Sequence, residues 1–267
     1  MKKYFVITDV HSFYDEMVEA LNKVGFDREN PDHILVSCGD LFDRGQKPRE
    51  CLEYIMTLPK ERRALVCGNH EENLIELLNG VRAYDGADSS NGTLNTILLL
   101  GGQTTKGRKS LERLSECRKK LKEDKMLQEY FAELKDYYEI DNYIFVHGWI
   151  PWDIDATDPD HQKIYYIKNN PRFWQDARWE CGFSEWGNMK YYEECGCTYE
   201  DKKTIVCGHW HTSYAHRRFH NLGEEFPGDG VKLSDCHFEP FIDDGIIGLD
   251  GCTALTGKCN CYVIEEG

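Results

Sequence analysis

Alternating β-strands and α-helices are the fold class this sequence predicts, and three observations carry it. Over the first 80 residues, short apolar runs of strand length alternate with amphipathic stretches of helix length: YFVITDV, FYDEMVEALNKV, HILVSCGDLF, PRECLEYIMTL, ALVCGNH and EENLIELLNG. Each strand run breaks off into polar residues at its carboxyl end: Asp9 and His11, then Asp40 and Asp43, then Asn69 and His70. The same texture returns late in the chain, where YIFVHGW and TIVCGHWH read as strands that again end in histidine. Ligand sites in α/β proteins gather at such strand ends, because the backbone is free there to turn.

The opening MKKYFVITDV is basic and then apolar, but Asp9 interrupts the apolar run and no small-residue cleavage site follows, so it reads as a first strand. From about Asp85 to Asn142 the texture changes to a Gly/Ser/Asn stretch, a short apolar helix around Thr93 to Leu100, and a charged helical run from Lys106 to Tyr138. Charges at helical spacing in that run predict a solvated face with a narrow apolar stripe; a substrate-recognition cap is the alternative. The tail, GIIGLDG and then KCNCYVIEEG, is expected to close the fold as a pair of strands. One catalytic domain over residues 1–267, with a helical insertion at about 85–142, is the economical division.

Hydrophobic residues make up 40% of the 267, enough for a substantial core. Basic residues number 32 against 47 acidic ones, a net charge of −15, which argues against general nucleic-acid binding through a phosphate-attracting surface. No stretch approaches about 18 apolar residues, so no membrane span is expected and the cytoplasm is the expected compartment. The twelve cysteines include no Cys-x-x-Cys pair. Cys195/Cys197 and Cys259/Cys261 leave a structural zinc open, while small buried hydrophobes are the plain reading.

The strand ends together offer Asp9, His11, Asp40, Asn69, His70, His147, His209 and His211. These are oxygen and imidazole donors, a mixture that suits manganese, iron or zinc better than calcium. Asp9 and His11 lie two residues apart, so on an extended chain both point to one side. A lone histidine in an apolar strand reads as a satisfied core residue. Five separate strand ends that all deliver donors read as a metal site.

The order of Gly39-Asp40-Leu41-Phe42-Asp43-Arg44-Gly45, Gly68-Asn69-His70-Glu71, His147-Gly148 and Gly208-His209 resembles the calcineurin-like metallophosphoesterase superfamily. Within it, the chain is most similar to the phosphoprotein-phosphatase branch, which holds bacterial and phage Ser/Thr phosphatases and diadenosine tetraphosphate hydrolases. Looser matches fall at Ser90-Asn91-Gly92-Thr93 and Asp250-Gly251-Cys252. The resemblance implies an α+β fold, a four-layer αββα sandwich of two mixed β-sheets flanked by helices. It also implies two divalent metal ions, manganese first and iron or zinc otherwise. Asp9 and His11 would hold one, Asn69, His147 and His209 the other, and Asp40 would bridge them. A metal pair about 3.5–4 Å apart generates a hydroxide for in-line attack on a phosphate ester. His70 would protonate the leaving oxygen with Asp43 orienting its ring, and Arg44 would hold phosphate oxygens through its planar fork.

Some positions depart from the family pattern. Thr8 and Ser12 flank the first ligands where glycines are usual, and Cys67 stands where many protein phosphatases have a phosphate-binding arginine. A further substrate-binding arginine is expected between the last two histidine strands. Arg178 in FWQDARWECGFSEW is the candidate, Arg172 the competitor, and a structural ion pair the remaining reading. His211 completes the Gly-His-x-His ending of the wider superfamily and is favoured as a ligand of the first metal, with ordinary hydrogen bonding as the alternative. His33 and His161 are expected at the surface, and His216, His220 and His237 are not expected to touch substrate. The aromatics of YYIKNNPRFWQDARW are read first as interior packing and second as base-stacking groups. Asp250 is read as a turn residue, or as a support of the site.

The activity expected from the resemblance is a dinuclear metal-dependent phosphatase, first of all a Ser/Thr protein phosphatase acting on a phosphorylated protein. The alternative is a diadenosine tetraphosphate hydrolase or another nucleotide or polynucleotide phosphoesterase. Retention of the ligand set together with His70, Asp43 and Arg44 argues against a noncatalytic scaffold.

Overall fold

The computed structural model describes residues 1–106, 110–158, 161–227 and 230–266. Residues 107–109 of the predicted charged helical run therefore lie outside the described residues. The first βα alternation is as the apolar runs predict: β1 (Lys3–Ile7), α1 (Tyr14–Lys23), β2 (His33–Ser37), α2 (Pro48–Met56), β3 (Arg63–Leu65) and α3 (Asn69–Asn79). Pro48 opens α2, where its missing N–H costs nothing, and Gly80 ends α3 in the left-handed conformation at φ 73°. Helices α4 (Gly86–Ser90), α5 (Thr93–Leu100), α6 (Leu111–Glu123) and α7 (Lys125–Glu133) follow. The charged run is thus broken at Asp124, whose carboxylate accepts from the Leu127 N–H and caps α7.

The second half contributes β4 (Tyr138–Ile140), β5 (Tyr143–Phe145), β6 (Trp152–Asp155), β7 (Lys163–Tyr166), α8 (Pro171–Ala177), α9 (Gly182–Glu194), β8 (Thr198–Tyr199) and β9 (Thr204–Cys207). Then come α10 (Thr212–His220), β10 (Phe241–Asp243), β11 (Ile246–Gly248), α11 (Thr253–Thr256) and β12 (Cys261–Glu265). Two mixed sheets form, in the orders β12-β1-β2-β3 and β10-β11-β9-β5-β4, with a small third sheet β6-β7-β8. Both tail segments are strands, as expected, but they join different sheets. Strand β12 runs antiparallel along β1 and covers its free edge, while β11 lies parallel to β9 in the other sheet.

Side-chain alternation along the strands generates four layers. Tyr4 and Val6 of β1 meet Phe145, Val206 and Ile247 of the second sheet in a buried middle cluster. Phe5 and Ile7 point the other way, onto Met17 and Leu21 of α1 and Leu52 and Ile55 of α2. That same layer takes in Ile97 of α5, Leu114, Cys117 and Leu121 of α6, and Tyr130 of α7, the buried stripe of the charged run. On the far side, Ile144, Ile205 and Ile246 pack against Trp174 of α8, Phe183 and Trp186 of α9 and Ala215 of α10. The fold is α+β, two mixed sheets face to face between helical layers, as the resemblance implied.

Six of the cysteines, at 38, 51, 67, 117, 197 and 207, are buried, and Cys259 and Cys261 pack against the first cluster. His33 is also buried, against expectation: its ring packs against Phe5 and Phe26, and its Nδ1 accepts from the Asp27 N–H. Because β1, β2 and β3 are parallel, as are β5, β9 and β11, their carboxyl ends collect at one edge of the sandwich.

Candidate active site

At that edge the chain turns sharply, and the turning residues are those that bear donors. Asp9, His11, Asp40, Asp43, Arg44 and His209 all have positive φ, between 50° and 74°. The left-handed region is unusual for non-glycine residues and concentrates at functional sites. Glycines make room for these turns: a Cβ on Gly39 would lie 2.6 Å from the Gly68 Cα, and one on Gly208 would lie 2.2 Å from Asp9 Oδ2. The loops after β2 and β3 are thereby pressed back to back, and the Asp9 carboxylate fits beneath the loop after β9.

Asp40 lies at the centre. Its Oδ1 accepts from the His70 N–H at 3.1 Å and stands 3.3 Å from His147 Nε2, while its Oδ2 is 3.8 Å from both His11 Nε2 and His70 Nε2. The donor atoms of His11, Asp40 and His70 all lie within 4.8 Å of one another, and so do those of Asp40, His147 and His209. One carboxylate is therefore common to two clusters. Asp9 Oδ1 is 3.9 Å from His11 Nε2, and its Oδ2 accepts from Thr8 Oγ1 and from the His209 N–H. Asn69 Oδ1 is 2.8 Å from His147 Nε2. The distal nitrogens are tied to backbone: His11 Nδ1 donates to the Phe42 carbonyl and His147 Nδ1 to the Cys38 carbonyl, which turns each Nε2 into the site.

Beside this centre, His70 Nδ1 pairs with Asp43 Oδ2 at 2.7 Å, leaving its Nε2 toward Asp40. The exposed Arg44 reaches back so that its Nη1 donates to His11 Nε2 at 2.8 Å. Three supports were not singled out by the sequence. Thr93 and Thr96 of α5 donate to Asp43, and Glu71 accepts the N–H groups of Asp40, Leu41 and Gly68. Thr93 closes the Ser90–Thr93 stretch, whose loose family match was the available signal; Glu71 belongs to a quoted motif but had been given no role. Asp250 is buried, and its carboxylate accepts from the Cys252 N–H at 2.7 Å.

Two predicted residues stand apart. His211 turns its Nδ1 to Ser213 Oγ at 2.8 Å and its ring to Phe226 and Phe238, and it makes no ion pair with Asp9 or Asp40 among the described residues. The Arg178 guanidinium engages Glu72 at 2.9 Å and Asp136, the structural ion pair that was the remaining reading. Arg172, its competitor, lies in the first turn of α8.

Electrostatics follow from burying many like charges together. Burial and the neighbouring Asp40 push Glu71 up to about 7, and burial also raises Asp9 and Asp250. Burial holds His209 down to about 4 and His11 well below the ordinary imidazole value, which favours the neutral rings whose nitrogens can serve as ligands. Burial opposes the charged forms of His147 and His70, but Asp40 together with Asp9 and the Cys38 carbonyl for His147, and with Asp43 for His70, outweighs it; His147 rises to about 10 and His70 is raised. Asp40 itself is held well below the usual carboxylate range, because His147 and His70 overcome its burial. Five buried carboxylates, at 9, 40, 43, 71 and 250, are crowded into this edge, a cost that bound divalent cations would offset. The donor set of imidazoles, carboxylates and one amide oxygen fits such ions.

Two mixed sheets face to face thus present, at one edge, two donor clusters that share a carboxylate, the arrangement of a two-ion metal site. A sequence profile described as calcineurin-like phosphoesterase matches residues 2–213, and the chain belongs to that family. Among curated relatives, it is 33% identical over 84 residues to the symmetrical bis(5'-nucleosyl)-tetraphosphatase of Glaesserella parasuis serovar 5, covering 32% of this chain and 30% of that protein. It is 33% identical over 103 residues to the asymmetrical bis(5'-nucleosyl)-tetraphosphatase PrpE of Bacillus subtilis, covering 35% of this chain and 42% of that protein. The chain thus spans less than half the length of each relative. A solved cold-active protein tyrosine phosphatase shares the fold, with a TM-score of 0.52, 14% identity, and coverage of 99% of this chain and 74% of that one.

Proposed function

We propose that this chain hydrolyses dinucleoside polyphosphates at a two-metal centre, with diadenosine tetraphosphate as the representative substrate. The sharing of Asp40 between two donor clusters carries the phosphoesterase part of this reading. In it, Asp9, His11 and Asp40 would hold one divalent ion, and Asp40, Asn69, His147 and His209 the other, with manganese the first expectation. When bound, such a pair polarises the phosphoryl group and lowers the pKa of a water. Arg44 is exposed at the mouth, where its guanidinium can leave His11 for phosphate oxygens. His70, aligned by Asp43, carries the proton for the departing oxygen on Nε2.

The substrate class rests on two further observations. The named relatives are bis(5'-nucleosyl)-tetraphosphatases. Two indoles also stand partly exposed beside the site: Trp179 is 49% and Trp210 38% exposed, each with its ring 6.2 Å from that of His209. Exposed aromatic faces next to a phosphate site suit nucleobases, at about 1–3 kcal/mol per stacked base. The Ser/Thr protein phosphatase first expected from the motifs has less support, since Cys67 replaces one phosphate-binding arginine and Arg178 is occupied by Glu72 and Asp136. The deciding experiment compares diadenosine tetraphosphate, phosphoserine and phosphothreonine peptides, and terminal polynucleotide phosphates on one manganese-loaded preparation. A kcat/KM for a phosphopeptide more than about tenfold above that for the dinucleotide, roughly 1.4 kcal/mol in transition-state binding, would reverse the assignment.

A further inference from the structure

Away from the catalytic edge, α10 carries His216 and His220 four residues apart, on one helical face. His216 is buried, its Nε2 donates to the Glu239 carbonyl at 3.0 Å, and its Nδ1 has no hydrogen-bond partner. A buried ring nitrogen with a free lone pair, on an imidazole already oriented by a carbonyl, is the arrangement of a histidine prepared for a metal. His220 repeats it: its Nε2 lies 3.3 Å from Asp243 Oδ2, which leaves Nδ1 for a ligand, and its ring centroid is 5.8 Å from that of His216. His237, exposed on the segment that precedes β10, brings a third imidazole to 6.2 Å from His216. Gly223 makes room for it, since a Cβ there would come within 2.4 Å of His237 Cδ2.

We infer that His216, His220 and His237 form a binding site for one zinc-type divalent transition ion, separate from the catalytic pair. Two histidines at i and i+4 on a helix chelate such ions, and imidazole donors select zinc, copper or nickel over magnesium and calcium. Among the described residues, the three histidines do not have all their donor atoms within 4.8 Å of one another, as the catalytic clusters do. Closure therefore requires the two outer rings to turn, and both His220, 37% exposed, and His237 lie at the surface. Asp243, which also faces Lys190, is placed to hold the His220 ring in that state. An ion here clasps the end of α10 to the 221–243 segment, which also carries the Phe226 and Phe238 rings that enclose His211.

The test is zinc counting by equilibrium dialysis on the full chain, in wild type, Asp40→Asn, and the paired exposed substitutions His220→Asn with His237→Asn. The paired variant is expected to bind one fewer zinc per chain than wild type, with unchanged aryl-phosphate hydrolysis under manganese. Asp40→Asn is expected to keep that one zinc while losing catalytic ions, and to gain thermal stability on zinc addition. Equal zinc stoichiometry in the paired variant and wild type, or no zinc-dependent stabilisation of Asp40→Asn, would overturn the site. His216→Gln, which keeps a polar group for the Glu239 carbonyl, serves as a second variant and is expected to lose the same ion.

Discussion

His70 and Asp43 form a buried pair at 2.7 Å whose anchor is remote in sequence, because Asp43 is itself held by Thr93 at 2.6 Å and Thr96 at 2.7 Å. The His70 ring, the proton carrier of the proposed reaction, is thus oriented from α5, not from its own loop. Thr93→Val removes one charge-assisted bond and is expected to lower kcat about tenfold, as a hydrogen bond to a charged group is worth about 1.5–3 kcal/mol. Steady-state kinetics alongside a denaturation curve checks this; an unchanged kcat would show that Asp43 needs no such anchor.

The role given to His70 has a consequence in the choice of leaving group. A dinucleotide departs as a nucleotide oxyanion that needs little protonation, whereas an alkyl phosphate departs as a poor leaving group. His70→Asn should therefore cost on the order of 10²–10⁴ in kcat on an alkyl phosphate and far less on diadenosine tetraphosphate. Equal losses on both substrates would remove His70 from the proton-transfer role.

Trp179→Ala and Trp210→Ala address recognition without touching the donor set. Each is expected to raise KM for the dinucleotide by about tenfold, in line with about 1–3 kcal/mol per stacked base, and to leave KM for an aryl phosphate within about twofold.

Glu71 accepts three buried backbone N–H groups, those of Asp40, Leu41 and Gly68. Leaving several buried donors unpaired costs about 1–3 kcal/mol each. Glu71→Ala is expected to lose at least about 3 kcal/mol in urea unfolding, and a smaller loss would mean that water or another group takes over.

Glu133 and Arg63 pair at 2.8 Å with side chains only 8% and 4% exposed, and the Arg63 hydrogen bond holds the Glu133 carboxyl below its ordinary value of 4.5. A depressed carboxyl stabilises the fold above its unfolded pKa, and that contribution fades as pH falls through the folded one. Glu133→Gln is expected to be about 1–2 kcal/mol less stable than wild type at pH 7, with the gap closing on acidification below pH 4.5. Unfolding curves across that range decide it.

Much of this centre could be read from the chain because each donor lies just beyond an apolar run. Asp9, Asp40, Asn69, His147 and His209 all follow a strand or loop that the hydrophobic pattern itself marks. Partnerships across long separations could not be read. Thr93 and Thr96 look like ordinary residues of an apolar helix until α5 is laid against the loop of Asp43. The tail strands were legible as strands, yet they pair in different sheets, since periodicity identifies a strand but not its neighbour. His33 packs onto a pair of phenylalanines, and the direction taken by His211 depends on Ser213 and two rings of a later segment.

The left-handed turns at Asp9, His11, Asp40 and His209 bear on which ion the centre accepts. Main chain held in sparsely populated conformations at about 1–3 kcal/mol each has little slack with which to follow a guest. The donor cage then keeps its own dimensions, and an ion of the wrong radius must distort its own coordination shell to enter. Selectivity among divalent ions here becomes a property of backbone stiffness as much as of the side chains that touch the ion.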